Sequence, residues 1–191
     1  MRKVFFDIET KNEFSSLARN DPTLLDISVI CIYDTETETY SCFEQNQFSS
    51  LWPIIENSDV LIGFNSDHFD IPVLNKYYPG DLTQLKSLDI LAEIKKSYGR
   101  RMKLDQIAEG TLGIKKSGNG LDAIKWWRNN EFDKVKNYCI DDVRITKEIY
   151  EYAMREGKLF FKESGKTNTI VLDTKGWEDS GTSRLTHTLP F

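Results

Sequence analysis

Val4-Phe5-Phe6-Asp7-Ile8-Glu9-Thr10 begins as an apolar strand and then sets two carboxylates two residues apart. Strand side chains alternate, so Asp7 and Glu9 share one face while Val4, Phe6 and Ile8 share the other. Two anions about 7 Å apart along a strand repel, and removing them from water is costly unless a cation sits between them. A divalent metal at the strand end supplies that charge. For an isolated Asp-x-Glu, a strand end fraying into solvent is the commoner explanation, so the decision rests on the rest of the chain.

Two further stretches bear on it. Leu61-Ile62-Gly63-Phe64-Asn65 reads as a second buried strand, and the loop after it leads to Asp70-Ile71-Pro72-Val73-Leu74, a helix start. Asp70 there fits a structural cap as well as a ligand, and Pro72 suits a first helical turn. From Glu131 to Glu156 the chain holds neither Gly nor Pro and reads as one long helix. At 100° per residue, Val135, Tyr138, Asp142, Thr146 and Ile149 form one stripe flanked by Cys139 and Val143. Asp142 falls in the middle of that apolar face and Asp141 on the polar side. A solvated charge accounts for Asp141, whereas a carboxylate on a buried stripe needs compensation. Tyr138, one turn earlier, reaches the same locus. Asp7, Glu9, Asp70 and Asp142 together are an inventory of hard oxygen ligands, suited to Mg²⁺ or Mn²⁺ and not to zinc.

These segments resemble the three exonuclease motifs of the DEDD superfamily, specifically the 3′–5′ exonuclease domains of family-B DNA polymerases and their stand-alone relatives. The motifs are Phe6-Asp7-Ile8-Glu9-Thr10, Gly63-Phe64-Asn65 through Phe69-Asp70, and Tyr138-Cys139-Ile140-Asp141-Asp142. They span residues 1–156 in the expected order. The histidine subclass would carry His five residues before Asp142, where this chain has Asn137; Tyr138, four before, matches the tyrosine subclass. The resemblance implies an α/β ribonuclease H-like fold with a mixed five-stranded sheet. It also implies two divalent ions bridged by Asp7, one completed by Glu9 and Asp142 and the other held by Asp70, with Tyr138 orienting the attacking water. It makes Phe14 and Leu17 a wedge against the terminal base, and Thr10, Asn65 and Phe69 further substrate contacts. At 191 residues the chain is too short to hold a polymerase domain as well.

Composition agrees with a globular enzyme: 39% hydrophobic residues, 12% aromatic and no run of membrane-spanning length. Met1-Arg2-Lys3 leads into a core strand and not into a secretory signal. Cys31, Cys42 and Cys139 lack metal-ligand spacing, and an odd count scattered over different elements suggests reduced thiols and a cytoplasmic location. His68 and His187 are too few for a zinc site. The formal charge of −5 includes the four candidate ligands. Divalent ions are therefore expected to aid substrate binding as well as chemistry. The basic run Lys95 to Lys103 reads either as a solvated turn or as phosphate contacts.

The coarse order is strands near 2–8, 26–34 and 37–43, a helix near 47–57, a strand near 59–64 and a helix near 70–78. A short strand at 87–91 and helices near 91–97, 103–111 and 121–128 precede the long helix. Asp89 reads as structural. Residues 157–177 form a hairpin on the same domain and 178–191 a mobile or docking tail. Of the adjacent Trp126 and Trp127, one should be core and the other partly exposed, with a base-stacking role as the functional alternative. The expected partner is nucleic acid, single-stranded DNA before RNA, with no membrane; a binding module without turnover is the third reading.

Overall fold

The structure, a computed structural model, describes residues 1–16, 21–115 and 120–179. Strand β1 (Lys3–Thr10) lies at the centre of a five-stranded sheet. On one side it pairs antiparallel with β2 (Ile27–Asp34), which pairs with the edge strand β3 (Thr39–Phe43). On the other it runs parallel to β4 (Val60–Gly63), which runs parallel to β5 (Ser87–Asp89), giving the order β3-β2-β1-β4-β5. This is the mixed sheet the sequence led us to expect.

Both faces of the sheet are covered, which is why its strands read as almost continuously apolar. Val4, Phe6 and Ile8 pack with Ile30, Ile32 and Leu61 beneath helices α1 (Phe48–Glu56) and α2 (Asp70–Asn75). Phe5, Val29 and Ile62 pack on the opposite face. That face is covered by α3 (Ile90–Tyr98), α4 (Leu104–Thr111), α5 (Gly120–Arg128) and the long α6 (Phe132–Glu156). On α6 the stripe residues Val135, Cys139, Asp142, Val143, Thr146 and Ile149 are buried, with Ile145, Tyr150 and Ala153 besides, while Tyr138 is half-buried and Asp141 exposed.

The hairpin β6 (Lys158–Glu163) and β7 (Lys166–Val171) lies against α4. Thr111 Oγ1 donates to the Phe160 carbonyl at 2.8 Å and accepts from the Phe160 amide at 2.9 Å. Leu159, Phe161 and Ile170 join the core beneath α6. Trp177 stacks on Tyr150, whose hydroxyl donates to Glu178 at 2.8 Å, and Glu178 also pairs with Lys3. The rest of the expected tail, from residue 180, lies outside the described residues.

One expectation is overturned. Cys31 and Cys42 are joined in a disulfide, and only Cys139 is a free thiol. The reason is strand register. The β2–β3 hairpin closes at Asp34↔Thr39, so three residues back along each arm Cys31 faces Cys42, with their Cα atoms 4.1 Å apart. Cysteines that appear scattered in sequence are thus direct cross-strand neighbours. Among the described residues no helix is long and apolar enough to cross a membrane.

Candidate active site

Parallel β1 and β4 end side by side, and their C-terminal ends form the floor of a cavity of about 330 Å³. Beyond Phe5 the pairing of β1 with β4 stops, and the Ile8 amide is instead taken up by Asp70 Oδ1 at 3.1 Å. A buried backbone donor needs a partner, and a carboxylate at the start of α2 provides it. On the other side the β1–β2 register shifts at Glu9/Thr10, an irregularity of the kind that re-aims side chains beside functional sites.

These features bring Asp7 and Glu9 of β1 together with Asp142 of α6, one carboxylate oxygen from each lying within 4.8 Å of the others. Glu9 and Asp142 are buried and Asp7 is half-buried. The cluster is all carboxylate, with no imidazole or thiolate ligand, so its donor set fits a hard divalent cation such as Mg²⁺ or Mn²⁺. Asp70 lines the same cavity but lies outside this cluster. The Cys139 thiol donates to the Asp7 carbonyl at 3.2 Å and lies 3.6 Å from Asp7 Oδ2. Burial, and then the charges of Asp7, Glu9 and Asp142, push that thiol well up, so it stays protonated as a donor.

Asp70 is pushed up to about 7, first by burial and secondarily by the charges of Asp89 and Asp142, against the pull of the backbone hydrogen bonds. The folded metal-free protein therefore binds a proton that the unfolded chain, titrating near 3.8, releases. The stabilisation from keeping Asp70 neutral is fully present below the unfolded value and is lost as pH rises through about 7. In EDTA, melting temperature should accordingly fall between pH 5 and pH 8. Asp70→Asn should flatten that decline, and Mg²⁺ should raise the pH 8 value of the unsubstituted protein. A decline that persists unchanged in Asp70→Asn would assign it to other groups.

The loop before Asp70 is held tightly. A Cβ on Gly63 would lie 2.5 Å from the Ser66 Cβ, so only glycine lets β4 turn into the loop at this point. Asn65 has φ 68°, a left-handed conformation that asparagine tolerates. Asp89 accepts from the amides of Asn65 (2.7 Å) and Asp67 (3.3 Å), and also caps α3 through Leu91 (2.9 Å) and Ala92 (3.3 Å). Its role is to fasten the Asn65–Asp70 loop to the next strand.

The cavity wall also includes Thr10, Phe14, Asn65, Phe69 and Tyr138. Phe14 meets Phe69 edge-on at 6.0 Å, and Tyr138 is braced by the edge of Trp126 at 5.9 Å. Leu17 lies outside the described residues. Trp126 and Trp127 are both half-buried, not divided between core and solvent. Trp127 packs on Phe132 and under the Lys11 ammonium, and neither ring lines the cavity. His68 is exposed and is not part of the carboxylate cluster. Sequence reasoning missed Leu25, Leu104 and Ile124, apolar wall residues on elements whose patterns look like ordinary core.

Among curated proteins, none matches the chain. Among solved structures, the family B DNA polymerase of the hyperthermophilic archaeon Pyrobaculum calidifontis is similar at 19% identity with a TM-score of 0.60, over 80% of this chain. The chain spans 24% of that polymerase chain, and at this identity the likeness concerns the fold. The model of the RNase_H superfamily matches residues 4–154, which contain every described wall residue of the cavity and, except for Lys3, the five strands of the sheet. The chain therefore belongs to the RNase H superfamily.

Proposed function

We propose that this protein is a two-metal-dependent 3′–5′ exonuclease that hydrolyses the terminal phosphodiester of single-stranded or frayed DNA, releasing nucleoside 5′-monophosphates. The observation that carries the reading is the meeting of Asp7, Glu9 and Asp142 within 4.8 Å, in a cavity whose wall also holds Asp70 and Tyr138. Membership of the RNase H superfamily supports nuclease chemistry. The motif order supports the exonuclease assignment.

Asp7, Glu9 and Asp142 would hold one divalent ion and, through Asp7 and Asp70, a second. When bound, such ions acidify water and offset negative charge on the phosphodiester oxygens. The chain's own residues do the rest. The Phe14–Phe69 pair offers an apolar edge against which the terminal base can rest. Tyr138 faces the cavity, and its hydroxyl positions the water that attacks phosphorus in line. The water gives up a proton as its oxygen bonds to phosphorus and the bond to the 3′ oxygen of the preceding nucleotide breaks, and that oxygen takes a proton to become the new 3′ terminus. Asn137, at the position a histidine subclass requires, is exposed, which favours the tyrosine subclass.

End-labelled oligonucleotides test the reading. With Mg²⁺ or Mn²⁺, a 3′-labelled strand should lose its label at once, whereas a 5′-labelled strand should give a descending ladder. EDTA should stop both, and a terminal 3′-phosphate should slow them. Parallel RNA strands decide the sugar preference, since a 2′-hydroxyl must be accommodated next to the terminal base. Cutting of circular single strands would replace the exonuclease reading with an endonuclease.

Tyr138→Phe keeps ring packing against Trp126 and removes one positioned hydrogen bond. Such a bond in a transition state is worth about 1.5–3 kcal/mol, so the single-turnover rate should drop roughly ten- to a hundredfold. Substrate affinity and melting temperature should hardly change. An unaltered rate at saturating Mg²⁺ would leave Tyr138 with packing alone.

A further inference from the structure

A second groove, of about 490 Å³, adjoins the active-site cavity. The two share Phe64, Asn65 and Leu104 in their walls, so they are continuous neighbours on the molecule. Their charges are opposite. Among the described residues the active-site cavity is lined by five acids (Asp7, Glu9, Glu13, Asp70 and Asp142) and no cation. The adjoining groove is lined by Arg101 and Lys103 and no acid.

The structure also sorts the basic run to which these residues belong. Lys96 pairs with Glu93 on the surface of α3. Arg100 Nη2 donates to both Glu163 carboxylate oxygens, at 2.8 Å each, and the guanidinium lies over the Phe161 ring. Arg101 is exposed and turned toward the groove, where it donates to Asn65 Oδ1. That partner is neutral, so the hydrogen bond orients the guanidinium without cancelling its charge. Among the described residues neither Arg101 nor Lys103 forms an ion pair. The donor geometry of Arg101 suits phosphate oxygens, and Lys103 adds a point charge beside it.

We propose that this groove is the binding site for the phosphates of the single strand upstream of the scissile bond, with Arg101 and Lys103 as the residues that hold them. The proposal rests on the exonuclease reading for its substrate, but not on turnover. Phosphates bound here would draw the strand across Asn65 and present its 3′ end to the acidic cavity. Among the described residues, Arg101 is the cation of this run that hydrogen-bonds to the Asn65–Asp70 loop.

The test is binding of a fluorescent single-stranded oligonucleotide, followed by anisotropy across a salt series, in EDTA and again in Ca²⁺. Arg101→Gln with Lys103→Gln should weaken binding roughly five- to tenfold at low salt. For two lost phosphate contacts on a single strand, the slope of log affinity against log salt should fall by about 1.4. Arg101→Lys with Lys103→Arg should keep most of the slope. Lys95→Gln with Lys96→Gln removes the same charge from the neighbouring helix surface and should leave both values unchanged. Equal losses in the two Gln pairs would overturn the groove, leaving only a general charge effect. So would a slope that does not respond to Arg101 and Lys103, a protein that binds no single strand at low salt, or preferential binding of an oligoglutamate peptide. Groove-dependent binding without metal-dependent cleavage would instead retain this site and reject the exonuclease reading.

Discussion

Asp7→Ala should lose at least about a thousandfold in cleavage rate, since electrostatic stabilisation by bound metal amounts to several kcal/mol and each 1.36 kcal/mol is tenfold. Asp7 shares the β1 face with Glu9 and lies against α6 beside Cys139, in the carboxylate cluster that Asp142 completes. The substitution should leave the fold intact, because the residue is half-buried and its removal relieves repulsion among three carboxylates. In EDTA, then, the variant should melt at or above the temperature of the unsubstituted protein. In Mn²⁺ it should lose most of the stabilisation that the metal confers. Two measurements, turnover and metal-dependent melting, therefore move together if Asp7 is a ligand. Near-normal turnover would remove the site assignment altogether, whereas lost turnover with unchanged metal-dependent melting would point to a role in substrate placement.

Gly110→Ala should produce the largest loss of stability without touching the acidic cavity. In an exposed helix, Gly→Ala gains about 1 kcal/mol through helix propensity. Here the added Cβ would lie 2.4 Å from the Phe161 Cα and 2.5 Å from the Phe160 carbonyl oxygen, both backbone atoms of β6. Rotamer changes cannot relieve that clash; the hairpin must shift, and with it the paired hydrogen bonds between Thr111 and Phe160. Overpacking that shifts backbone costs about 1–3 kcal/mol, so a net loss of up to about 2 kcal/mol is expected after the propensity gain. For a chain of this length that corresponds to a fall of up to roughly 8 °C in melting temperature. A rise instead would mean that the hairpin does not seat against α4 in solution, and residues 157–177 would then have to be regarded as separable from the domain.

Much of the site was legible because its signals are local. Alternation along Val4 to Thr10 sorted Asp7 and Glu9 from the apolar face, and the 100° periodicity of α6 set Asp142 among buried residues and Asp141 in solvent. Both inferences need only the geometry of one element. Asp70 was legible only as an acid at a helix start. Its bond to the Ile8 amide depends on where β4 stops pairing with β1, which no single segment specifies.

What the residues by themselves determined is the set of elements and the face each turns inward, since strand and helix periods are properties of the local backbone and the hydrophobic effect selects the buried face. Only the tertiary structure decided which distant residues meet. The Cys31–Cys42 bond follows from hairpin register, which converts two positions 11 residues apart into cross-strand neighbours. Leu104 and Ile124 become cavity walls only when α4 and α5 pack over β1 and α6. Arg100 and Arg101 are adjacent in sequence and equal in charge. One is neutralised by Glu163 on the hairpin and the other faces an acid-free groove, because consecutive side chains diverge and each meets whatever the folded chain has placed there.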